Sequence, residues 1–327
     1  MLHVVKAWHV AILLAACKAP AAIPLDAPSS PWSVGPSVPV PRLEPGVAAL
    51  GQSIVVLGGL TSGSDVTARV DEYDTDEQTW TQLADAPVAR YDVQLATIGT
   101  TVYLLGGLDG SGTARGDCYA IDTGDPTATW QPIAPIPAGF ERGLAGVVVT
   151  PPRAYLLGGV ATTSVIFYDA IEDAWTTTGG LPDLPGVRSH PAAMRRAIDG
   201  TFIVAGGFSG GTPEADVFWL TSDQQTSTGV WVAMTPMPEA RGGCAYGVVQ
   251  DQLLCAGGET GTSAVATMQG YDSINDVWNN YPDMPAARTG AQGAAVADAL
   301  YVAGGSDTSA PGDSLYVFSL DDTATTQ

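Results

Sequence analysis

The chain has 327 residues, of which 45% are hydrophobic and only 14% charged, with 34 acids against 13 bases and a formal net charge of -21. That balance excludes binding to nucleic acid or anionic lipid through bulk charge, because the folded body repels polyanions. The length suits two ordinary domains or one large repeat domain, and four cysteines are too few to make a disulfide scaffold at this size.

Residues 1–16 read as an export signal. Lys6 lies in a weakly basic start, and the apolar segment from Ala7 to Ala16 is too short to span a bilayer as a helix. Leu14-Ala15-Ala16-Cys17 is similar to a bacterial lipoprotein box, in which the cysteine is lipidated and becomes the mature N-terminus. Cys17 is therefore the expected lipidation site; an ordinary cleaved signal with a chance cysteine is the alternative. Several acyl chains, at about 0.8 kcal/mol per buried CH₂, hold a protein stably where one does not. No later segment approaches 18 continuous apolar residues, so lipid is the one expected membrane attachment, with the folded part outside the cytoplasm, periplasmic or at a bacterial cell surface. Residues 17–31, rich in proline, alanine and serine, read as an extended tether.

From residue 32 to about 320 one unit recurs six times, and residues 321–327 form a polar tail. Each unit opens on an arginine: Arg42, Arg90, Arg142, Arg188, Arg241 and Arg288. A run of small and apolar residues follows, then a turn, then an apolar strand ending in a glycine pair. The pairs are Gly58 and Gly59, Gly106 and Gly107, Gly158 and Gly159, Gly206 and Gly207, Gly257 and Gly258, and Gly304 and Gly305. Their first glycines are 48, 52, 48, 51 and 47 residues apart, a period that has to be read before any single element. From arginine to first glycine the distance is 16 in five units and 18 in the fourth, so the hairpin between them keeps one register.

Four short antiparallel strands per unit are expected. The first carries small residues, as in Gly242, Gly243 and Ala245, and suits a crowded axis. The second is apolar throughout, so both its faces should be covered. An aromatic marks the third, followed by aspartate at Tyr73-Asp74, Tyr168-Asp169 and Tyr271-Asp272, with looser versions at Tyr119, Trp219 and Tyr316. The fourth carries Trp80, Trp130, Trp175, Trp231 or Trp278, and the sixth unit has none. Trp32 fills that vacancy: it stands 10 residues before Arg42, as Trp80 stands 10 before Arg90. The N-terminal strand should therefore complete the last unit and close the ring. The glycine pair is expected to let an aromatic pack flat against the strand end.

The glycine pairs, the aromatic-Asp, the tryptophan and the arginine, six times in register, resemble the Kelch-repeat family over residues 32 to about 320. The resemblance implies an all-β, six-bladed Kelch-type β-propeller with four antiparallel strands per blade, closed by the strand around Trp32. In such a ring the loop after each glycine pair and the connection from tryptophan to arginine lie on one face, and their lengths vary. The arginines then sit beside the variable loops near the mouth of the axis. Two roles are open to them: tying adjacent blades together, or contacting an anionic or hydroxyl-rich ligand. Glu44, Asp92 and Glu141 lie within two residues of three of them and offer compensating charge.

Catalytic and metal chemistry find little support in the sequence. Removal of residues 1–16 leaves His190 as the one histidine, so neither the two-histidine copper site of galactose oxidase nor a zinc site assembles, and no cofactor or metal is expected. Cys244 and Cys255 fall on the first two strands of one unit in diagonal register, which argues against a disulfide between them, while Cys118 reads as a buried free thiol. The favoured function is a membrane-tethered, monomeric binding or scaffold module that offers its loop face to a protein or glycan. The alternative is a small carbohydrate-active enzyme similar to a Kelch-type sialic acid mutarotase.

Overall fold

The computed structural model describes residues 30–221, 229–261, 263–307 and 310–320. The export signal, Cys17, nearly all of the tether and the tail at 321–327 lie outside the described residues. No helix among the described residues is long and apolar enough to cross a membrane.

Six antiparallel four-stranded sheets form the ring, each in simple up-and-down order. The first strands, Gly46–Leu50, Gln94–Ile98, Gly146–Thr150, Ala192–Arg195, Ala245–Val249 and Thr289–Val296, are innermost. The second strands, such as Ser53–Leu57 and Arg153–Leu157, are almost entirely buried between neighbouring sheets, as a continuous apolar run requires. Third strands, such as Cys118–Asp122 and Val165–Asp169, carry the aromatic, and fourth strands, such as Thr79–Gln82 and Ala174–Thr176, carry the tryptophan. The fourth blade adds a small hairpin, Phe208–Ser209 with Thr212–Pro213, directly after its glycine pair.

Closure is as the tryptophan spacing implied. Trp32–Val34 pairs antiparallel with Leu315–Ser319, with Trp32 opposite Phe318, and supplies the outermost strand of the sixth blade. The Trp32 indole N–H donates to the Pro282 carbonyl at 2.7 Å. All six tryptophans repeat this bond into the connection that leaves the preceding blade: Trp80 to Pro36, Trp130 to Ala84, Trp175 to Ala134, Trp231 to Pro182 and Trp278 to Thr235. One ring per blade thus buries apolar area and satisfies a carbonyl across a blade junction. The tyrosines of the third strand do similar work in two blades. Tyr168 donates to Asp173 at 2.7 Å, and the same carboxylate oxygen accepts the Ala134 N–H from the neighbouring blade; Tyr271, Asp276 and Thr235 repeat the arrangement.

The glycine pair has a different cause from the one expected. What approaches it is backbone from the next blade, not an aromatic ring. A Cβ on Gly58, at φ 67°, would lie 2.2 Å from the Arg90 main-chain oxygen, and one on Gly158 would lie 2.4 Å from that of Arg188. The second glycine of every pair then donates its N–H to that same arginine carbonyl, at 2.8–2.9 Å in all six blades. Each junction is stitched where only glycine fits. Contrary to the expectation from register, Cys244 and Cys255 form a disulfide across the diagonal, because their Cα atoms are only 5.5 Å apart. Cys118 is a buried free thiol.

Candidate functional site: the acid and histidine mouth of the axis

The loops after the glycine pairs bridge back to the segments that follow the arginines, as in Leu43 with Leu60, Tyr91 with Leu108, Ser189 with Phe208 and Gly242 with Glu259. Loop face and arginine segments therefore share one end of the ring.

The guanidinium groups themselves turn away from the axis into their own blades. Arg42, Arg90, Arg142, Arg188 and Arg241 are buried, and Arg288 is half-buried. Arg142 donates to the Gly158 and Ser164 carbonyls and the Ser164 hydroxyl at 2.8–3.0 Å, and Arg241 treats Thr267 the same way. Arg42 reaches the Arg69 carbonyl and the buried Asp71 carboxylate. In the alternate blades Arg90 forks onto Asp117, Arg188 meets Asp216, and Arg288 meets Ser314 and Tyr316. With its carbonyl bound to the preceding blade and its guanidinium to its own, each arginine is a tie between blades. Glu44 and Asp92 are not its counterions.

Two residues beyond each arginine stands Glu44, Asp92, Leu144, His190, Gly243 or Gly290, and all six have φ between 45° and 66°. Their backbones join around the axis. Asp92 N–H donates to the Glu44 carbonyl, Leu144 to Asp92, His190 to Leu144, Gly243 to His190, and Glu44 to Gly290, at 2.7–3.2 Å. Four residues other than glycine hold a left-handed conformation that costs on the order of 1–2 kcal/mol each, sustained by this run of hydrogen bonds across five of the six junctions.

Three blades thereby place their titratable side chains together. His190 Nε2 lies 3.0 Å from Asp92 Oδ1, and the donor atoms of Glu44, Asp92 and His190 all lie within 4.8 Å of one another, close enough to share a cation. Burial, reinforced by the neighbouring Asp92 carboxylate, pushes the Glu44 carboxyl up to about 8. Burial alone would lower the His190 imidazole, but the Asp92 carboxylate and, behind it, Glu44 and Glu259 outweigh that and raise it. The His190 ring stands edge-on to Phe208, with centroids 5.9 Å apart.

Above this cluster a pocket of about 290 Å³ opens among Glu44, His190, Phe208, Glu259 and Gln292. Below it a small cavity of about 40 Å³ is lined by Asp92, Gln94, His190, Tyr246 and Gln292. Tyr246 crosses the axis there: its hydroxyl accepts the Val147 N–H at 2.9 Å, linking the fifth blade to the third. Beneath it lies a channel of about 410 Å³ lined by Ala48, Ala96, Val148, Ala193, Val248 and Ala294 among others, the small residues expected of the first strands. No arginine lines either mouth cavity. In sequence His190 is a single histidine with no neighbouring ligand; the signal that points to the cluster is the shared offset of two from the repeated arginine.

The Kelch motif matches residues 41–87 and 240–285. Over 173 residues, 47% of the chain, the protein is 33% identical to the Kelch-like protein terF of the fungus Aspergillus terreus, and the match spans 36% of that relative's length. Six antiparallel four-stranded blades closed in a ring make the chain a six-bladed β-propeller, with Kelch motifs in its first and fifth blades.

Proposed function

We propose that the propeller is a monomeric binding module that docks a protein partner on its loop face, around the mouth of the axis. The supporting observation is the contrast between a backbone hydrogen-bonded across five of the six blade junctions and the unequal loops it holds in place, a combination that presents recognition groups without a large ordering cost. The chemistry favoured at the mouth is cationic. Asp92 and Glu259 gather there, with Glu44 able to give up its proton to an incoming cation, while the arginines are engaged elsewhere, so a lysine or arginine side chain of the partner fits better than the anionic or hydroxyl-rich ligand suggested by the arginine ring. Panning a displayed peptide library against the purified propeller tests this. Enrichment of basic peptides that Glu259→Lys no longer retains is expected, and enrichment of acidic peptides would contradict it.

The placement in the cell is part of the same proposal: export through residues 1–16 and a lipid on Cys17 that tethers the propeller outside the cytoplasm. Incorporation of labelled palmitate, abolished by Cys17→Ser, checks it. A second reading, a small carbohydrate-active enzyme, is favoured by one feature, the buried Asp92 carboxylate against His190, which supplies an acid and a base in one pocket. A sugar carboxylate would find no arginine in that pocket. Anomer exchange of acidic sugars, followed by NMR with and without the protein, decides for or against this reading.

A further inference from the structure

We propose that Glu44, Asp92 and His190 bind a divalent first-row transition metal ion at the mouth of the axis, with the Gln94 side-chain carbonyl completing the site from beneath. This goes beyond the partner-docking proposal and does not depend on it.

Three observations lead there independently. The first is geometric. The 3.0 Å between His190 Nε2 and Asp92 Oδ1 matches the edge of an octahedron whose metal–ligand bonds are about 2.1 Å, roughly 3.0 Å, so an ion can take the place of the hydrogen bond with little movement. The second is an orphan. Gln94 is 2% exposed and lines the small cavity under the cluster, and its Oε1 has no partner. Its Nε2 is held by the Asp92 main-chain carbonyl at 2.7 Å, which fixes the amide and leaves the oxygen to the cavity. An unsatisfied buried carbonyl costs on the order of 1–3 kcal/mol, and a cation or its water ligand satisfies it. The cavity of about 40 Å³ has room for such a water. The third is rigidity: Glu44, Asp92 and His190 come from blades one, two and four, yet their backbones are joined through Leu144 in one continuous run of hydrogen bonds, which sets the donors before any ion arrives.

The donor set narrows the class of ion. Once the ion displaces the Glu44 proton, two carboxylates neutralise a divalent charge. An imidazole nitrogen disfavours magnesium and calcium, and the nearby sulfur, Cys244, is tied up in a disulfide, so no thiolate selects a soft ion. The divalent ions of the first row from manganese to zinc remain.

The test uses the full chain, stripped with EDTA and titrated calorimetrically with zinc chloride, manganese chloride and magnesium chloride. One zinc or manganese ion per chain is expected, bound at least about a hundredfold more tightly than magnesium. Asp92→Asn and His190→Gln should each weaken binding by more than tenfold, Gln94→Leu by about tenfold, and the exposed Glu239→Gln not at all. Because an altered mouth could disturb the fold, the wild-type protein gives a second readout: manganese should broaden the His190 ring protons in the NMR spectrum at substoichiometric amounts. Unbroadened His190 signals at saturating manganese, or zinc affinity unchanged in the Asp92→Asn/His190→Gln variant, would overturn the site.

Discussion

Arg142 gives the sharpest separation between an arginine that recognises a ligand and one that holds the ring together. Its guanidinium is 1% exposed and donates to the Gly158 carbonyl at 2.9 Å, the Ser164 carbonyl at 3.0 Å, the Ser164 hydroxyl at 2.8 Å and the Phe140 carbonyl at 3.0 Å, with no carboxylate in hydrogen-bonding contact. Burial draws it down to about 10, so it remains charged at neutral pH. Arg142→Met keeps much of the volume and removes all four bonds. Each buried acceptor left without a partner costs about 1–3 kcal/mol, and relief from desolvating a charge offsets part of the sum. A net loss of about 3 kcal/mol follows. Arg153→Met is the control, since that side chain is 47% exposed and its pair with Asp169 should contribute less than about 1 kcal/mol. Urea unfolding monitored by tryptophan fluorescence measures both. If Arg142→Met fell within about 1 kcal/mol of the wild type, the architectural role assigned to the six arginines would be refuted.

Other expectations follow from the same geometry. Gly158→Ala should lose about 3 kcal/mol or more, because its Cβ meets the Arg188 carbonyl at 2.4 Å, whereas Gly51→Ala, at φ 59° with no atom within 4 Å, should lose only the left-handed penalty of about 1–2 kcal/mol. Comparing the two midpoints isolates the close approach from the backbone strain. Trp32→Phe should lose about 1 kcal/mol with the Pro282 hydrogen bond, and Trp32→Ala about 3–5 kcal/mol as the sixth blade loses its outer aromatic; equal, negligible losses would mean that the ring does not depend on this strand. Burial pushes the Cys118 thiol up to about 12, so it should resist Ellman's reagent at pH 8 in the native protein and react on unfolding.

The ring was legible in the sequence because its determinants repeat. The glycine pairs report a junction that exists six times, and the missing sixth tryptophan points to Trp32 as surely as a broken period can. The reason for the pairs was not legible, since sequence shows that a glycine is needed but not which backbone approaches it. Side-chain direction was lost in the same way: the position of Arg142 before a first strand places its backbone at the mouth, while the carbonyls that capture its guanidinium come from Gly158 and Ser164 in the following hairpin. The acid and histidine cluster was hidden more deeply. Asp92 and His190 are 98 residues apart, and no local motif joins them. The sequence signal that joins them is their shared offset of two residues from the repeated arginine, and the structure adds that this position is left-handed.

At this left-handed position, and not in the arginine ring, His190 is coupled to Asp92 and Glu44 at the mouth of the axis. An NMR titration of the His190 imidazole in the EDTA-treated protein tests it most directly, with the signal assigned by its loss in His190→Gln. The expected imidazole pKa lies above the ordinary histidine value of about 6.5 and falls when Asp92 is replaced by asparagine. A value at or below 6.5 that does not respond to Asp92→Asn would contradict the assignment.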